Sequence, residues 1–78
     1  MTKAENIKIR LLENRLTVAW LHFRLKCLGH ELSIDDLNLI LSLTNVYPNQ
    51  AIILLDCDYT LNLYDDFFGK HPMLYEKC

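Results

Sequence analysis

Apolar residues between Lys3 and Leu28 recur at helical spacing, but on two sides of the helix. At about 100° per residue, Ile9, Leu12, Leu16, Ala19, Trp20, Phe23 and Cys27 form one stripe. Ile7, Leu11, Val18, Leu21, Leu25 and Leu28 form a second. Lys8, Arg15, His22 and Lys26 run between the stripes on one flank, Glu13 and Arg24 on the other. The segment is rich in strong helix formers. Gly29 stands where a helix stop belongs, with Lys26 in the last turn to meet the helix dipole. The pattern predicts one long helix over residues 3–28. A helix apolar on two sides needs cover on two sides.

A second helix is predicted from Ser33. Its hydroxyl can cap the first turn, and Asp35 and Asp36 favour the positive helix end. Ile34, Leu37, Leu41 and Thr44 share a face. Leu37, Leu39, Leu41 and Leu43 also alternate as a strand would, but the cap and the leucines favour helix. Pro48 disfavours helical geometry at Tyr47, so the element ends near Val46. A third helix is predicted from Pro48 to Phe68, with Ile52, Leu55, Tyr59 and Leu63 on one stripe. Ala51 to Leu55 could instead be a short buried strand. Gly69, Lys70, His71 and Pro72 form the stop, and residues 73–78 read as a fraying tail.

The expected fold is therefore mainly α. Residues 1–78 form a single small domain, with a long N-terminal helix packed on two shorter ones. A chain of 78 residues buries only roughly 60% of the surface its unfolded form exposes. With 51% apolar residues, covering both stripes of the first helix unaided is hard. A protein partner or self-association is expected on one of them. Leu12, Leu16, Trp20 and Phe23 are the candidate anchors, because buried aromatics and large aliphatics dominate interface energies.

Charge sharpens the picture. Residues 1–30 carry Lys3, Lys8, Arg10, Arg15, Arg24 and Lys26 against Glu5 and Glu13, a net +4. Residues 31–69 carry Glu31, Asp35, Asp36, Asp56, Asp58, Asp65 and Asp66 with no Lys or Arg, a net −7. The halves should attract within the fold and leave one basic and one acidic face. Asp56, Asp58, Asp65 and Asp66 are the candidate acidic face. Lys8, Arg15 and Lys26 could meet phosphates, but the net −2 and the lack of a helix-turn-helix pattern argue against direct nucleic-acid binding.

No run reaches the roughly 18 apolar residues that a membrane span needs. Glu5, Asn6 and Lys8 stand where a secretory leader would have its apolar core, so the sequence reads as cytoplasmic. Cys27, Cys57 and Cys78 lie far apart, which supports neither a zinc site nor a redox motif. His22, His30 and His71 have no ligand spacing, and no Gly-rich phosphate loop exists. No metal and no cofactor are expected.

One motif stands apart. Ala51 to Leu55 followed by Asp56, Cys57, Asp58, Tyr59, Thr60 and Leu61 resembles the nucleophile loop of the haloacid-dehalogenase-type phosphatases. That resemblance implies an apolar strand running into a loop. Asp56 would be the nucleophile and a magnesium ligand, and Asp58 the general acid and base. It covers about ten residues. The family needs a long series of strands and helices after this loop, and only Leu61 to Cys78 follow Thr60. No Ser or Thr lies beyond Thr60 to join the site. A looser resemblance to tetratricopeptide helix pairs rests on Val18-Ala19-Trp20-Leu21, Gly29 and Tyr47-Pro48-Asn49. Its spacing departs from that repeat, and Ile and Leu replace the expected alanines of the second helix.

The sequence thus predicts a non-catalytic interaction protein: an adaptor, chaperone or inhibitor docking through apolar helix faces. Two alternatives remain. One is an acidic inhibitor of the phage type, occupying a basic nucleic-acid-binding groove. The other is a phosphatase-like fragment using Asp56 and Asp58.

Overall fold

Among the described residues, Thr2, Thr17 and Ser33 each stand just before a helix and accept from one of its otherwise unpaired first-turn N–H groups. In the computed structural model, which describes residues 1–69, there are four helices: α1 (Lys3–Glu13), α2 (Val18–Cys27), α3 (Ile34–Ser42) and α4 (Pro48–Tyr64). Thr2 and Glu5 form a reciprocal capping box at α1. Those hydrogen bonds to Thr2 hold the Glu5 carboxyl below the usual carboxylate range. Thr17 Oγ1 accepts from the Trp20 N–H at α2, 3.0 Å. Ser33 and Asp36 box the start of α3. Pro48 opens α4, and Gln50 Oε1 accepts from the Tyr47 N–H, 2.9 Å. Residues 65–69 continue α4 as a π-helical turn.

The mainly α expectation holds, and no strand forms among the described residues. The strand alternatives for residues 37–43 and 51–55 give way to α3 and α4. The single long helix over residues 3–28 does not form, so the three expected helices become four. The chain breaks at Asn14–Thr17 because two local motifs meet there. Arg15 takes a left-handed conformation, φ 57°. The Leu16 N–H donates to Leu11 O at 2.8 Å and the Arg15 N–H to Leu12 O at 3.1 Å. This is the Schellman ending, with Arg15 in the place that usually holds glycine. Thr17 then caps a new helix. The same ending recurs at α2, where Gly29 has φ 95° and the His30 N–H donates to Leu25 O at 3.0 Å. Helix α3 stops at Ser42 rather than Val46, since Leu43 is already extended.

Packing runs from α1 and α2 onto α3 and α4: each of the first pair touches each of the second. The core consists of Ala4, Ile7 and Leu11 of α1, Leu21 and Leu25 of α2, Leu37, Ile40 and Leu41 of α3, and Leu54, Cys57 and Leu61 of α4. Ile7, Leu11, Leu21 and Leu25 belong to the second of the two stripes read between Lys3 and Leu28. Each fully buried aliphatic side chain contributes about 1.5–3 kcal/mol. Leu16, Val18, Trp20, Leu32, Val46 and Ile53 pack half-buried around this centre. The expected tail, residues 73–78, lies outside the described residues, as do Lys70, His71 and Pro72.

Candidate functional site

The other stripe of the broken helix faces outward. Leu12 is 77% exposed and Phe23 61% exposed. Ala19 and Cys27, one turn either side of Phe23, are exposed as well. Leu16 and Trp20 are half-buried against the core. The four candidate anchors therefore do not form one continuous ridge, because the break at Asn14–Thr17 divides them. Leu12 and Leu16 line an apolar recess of about 330 Å³ at the break, with Leu11, Val18 and the Lys8 stem. Trp20 meets the Tyr64 ring edge-on, centroids 5.5 Å apart, and both line a groove of about 490 Å³ beside Arg24 and Leu63. Phe23 projects from α2 between exposed Arg24 and Lys26. Helix α2 carries no carboxylate.

A second outward face was not assigned a role by sequence reasoning. Ile52, Leu55, Tyr59 and Leu63, the stripe predicted for α4, are all between 46 and 55% exposed. The inward set is Leu54, Cys57 and Leu61, with Thr60 beside it. Helix α4 is thus apolar on two opposite sides. A single stripe chosen from it had an even chance of being the outer one. The signal that separates the sides is the polar row Asp58, Asn62 and Asp65, at i, i+4 and i+7.

That row holds Arg10. Its guanidinium donates to Asp58 Oδ1 at 2.8 Å, Asn62 Oδ1 at 2.8 Å and Asp65 Oδ2 at 2.7 Å. The Arg10 side chain is only 16% exposed, so this clamp ties α1 to α4 in a partly dry setting. On the opposite edge, Asp56 pairs with His30. His22 Nε2 lies 2.6 Å from Leu32 O and anchors the α2–α3 connection to α2. The attraction expected between the basic and acidic halves is realised where Arg10 meets Asp58 and Asp65.

The phosphatase-like residues do not form a loop. Asp56, Cys57, Asp58 and Thr60 all lie within α4, where Asp56 and Asp58 are engaged on different edges and Thr60 is buried. Burial, followed by the neighbouring Asp56 and Asp58 carboxylates, pushes the Cys57 thiol up to about 12. It therefore stays protonated and unreactive. Among the described residues, no group of three or more His, Cys, Asp or Glu is placed to hold a metal ion. No helix among them is long and apolar enough to cross a membrane. No protein-family model, no curated protein and no solved structure matches the chain.

Proposed function

We propose that the chain is a small non-catalytic interaction protein whose outward apolar face, on α1 and α2, docks on another protein. Leu12 and Phe23 are the anchors, and Leu16 and Trp20 shape the recesses beside them. The observation that carries this reading is the state of Leu12 and Phe23. Both stand clear of a core that closes without them. Scattered exposed leucines are ordinary on protein surfaces; large apolar residues repeated along one side mark binding sites. Among the described residues, fourteen large apolar side chains are exposed, against nine large ones buried in the core beside Ala4 and Cys57. That balance favours a chain with an interface still to cover.

The acidic-inhibitor alternative needs carboxylates turned toward a basic partner. Asp56, Asp58 and Asp65 are instead engaged with His30 and Arg10. No observation favours it or the phosphatase-like reading over docking.

The test is affinity capture from extracts of the native host, using the wild-type chain beside a Leu12→Glu/Phe23→Glu chain. A partner retained by the first and lost from the second, at unchanged helicity, supports the reading. Identical recovery by both chains, or none by either, counts against it.

A further inference from the structure

The groove between α2 and the end of α4 holds two polar groups that the fold leaves unused. Its walls are rings in mutual contact. Trp20 meets Tyr64, Tyr64 tilts against Phe68 with centroids 4.5 Å apart, and Phe68 meets Phe67 edge-on at 4.9 Å. These contacts set the walls before anything enters. At the rim stands Arg24, exposed and without an ion pair among the described residues. At the floor lies Thr60, only 5% exposed. Its hydroxyl has no hydrogen-bond partner among the described residues. Yet none of their side-chain oxygens or nitrogens is both sealed from solvent and unpartnered. The Thr60 hydroxyl therefore opens into the groove it lines.

We infer that this groove binds a small aromatic carboxylate that carries one further polar atom. The ring lies between the aromatic walls, the carboxylate meets Arg24, and the second polar atom meets the Thr60 hydroxyl. A volume of about 490 Å³ falls within the roughly 300–1,000 Å³ of small-ligand sites, which join apolar walls to a few placed polar groups. Walls of Trp, Tyr and Phe favour a flat ring, which can stack on them or meet their edges. The Arg24 guanidinium presents paired donors that match a carboxylate. It is the one charged side chain lining the groove among the described residues, so it matches a single negative charge. Asp65 and Asp66 share the π-helical turn with Phe67, but neither lines the groove. A hydroxyl as deep as that of Thr60 is reached by the edge of a flat ring and not by the bulk of a docked helix. Neither Leu12 nor Phe23 lines the groove, so the inference goes beyond the docking reading and stands without it.

The experiment follows the indole N–H signal of Trp20, the chain's single tryptophan, by nuclear magnetic resonance of the full chain. The probe is a hydroxynaphthoate with its hydroxyl and carboxylate at opposite ends. Beside it are naphthoate, which lacks the hydroxyl, and naphthol, which lacks the carboxylate. A saturable shift of the Trp20 signal is expected, with hydroxynaphthoate binding tightest. Arg24→Gln should weaken both acids about fivefold and leave naphthol unchanged. Thr60→Val should weaken hydroxynaphthoate and naphthol about threefold or more and leave naphthoate unchanged. Circular dichroism checks the fold, and the exposed Arg24 keeps the test open should Thr60→Val unfold. No saturable shift at millimolar probe overturns the inference. So does Arg24→Gln binding both acids like wild type, or naphthol binding as tightly as hydroxynaphthoate. A chain that ignores all three probes, while its capture of a host protein depends on Arg24, gives the groove to a protein segment. The inference then falls and the docking reading stays.

Discussion

Arg15 shows how far a single backbone conformation reaches. It sits in the left-handed region, where a Cβ costs roughly 1–2 kcal/mol, and Gly29 fills the matching place one helix later. Glycine there was legible from the sequence; arginine was not, since nothing in its side chain announces φ above zero. Arg15→Gly should raise stability by about 0.5–1 kcal/mol, the relief of strain less the added freedom of the unfolded glycine. Thermal unfolding should show it as a midpoint higher by about 3–5 °C. Cys57 gives a second prediction at this scale. Its folded pKa, about 12, lies above that of an exposed thiol. The folded state keeps a proton that the unfolded state gives up, so this contribution is intact below the ordinary thiol range. It is lost as pH rises above that range, at up to about 1.4 kcal/mol per pH unit. Urea unfolding across alkaline pH should show a steeper loss for wild type than for Cys57→Ala.

Among the elements, α4 carries the most consequence and was the least transparent. Its start was legible from Pro48, and the start of α3 from Ser33. Its outer face was not, because two apolar sides at the same helical spacing give no preferred direction. The division between α1 and α2 was hidden for a related reason. Thr17 caps α2 without an acidic partner at Trp20, and good helix formers continue through Asn14 and Arg15. The same helical geometry disperses the phosphatase-like residues. Positions two apart on a helix point about 200° apart, so Asp56 and Asp58 cannot converge on one ion. Each instead closes a contact with another element. Arg10→Ala should cost about 1–2 kcal/mol in chemical denaturation. That is more than an exposed pair contributes, because the guanidinium is largely buried and bridges two carboxylates. It is less than the loss of a fully buried pair, because Asp58 and Asp65 retain access to water. A loss below a few tenths of a kcal/mol would show that the clamp does not hold α1 to α4.

At the scale of the whole molecule, the two-sided apolar pattern of residues 3–28 is resolved by covering one side and leaving the other open. The sequence carried the candidate anchors Leu12 and Phe23 to their outward positions. It could not foresee that the break would turn Leu16 and Trp20 toward the core. The arrangement leaves a small helical fold with exposed apolar residues on the outer sides of α1 and α2 and of α4. The most direct measurement is the binding of an apolar fluorescent dye to the dilute, folded chain, compared with the Leu12→Glu/Phe23→Glu chain at equal helicity. The account predicts clear dye binding by wild type and a several-fold loss in the variant. A folded wild type that binds no dye, or a variant that binds it equally, would contradict an open docking face on α1 and α2.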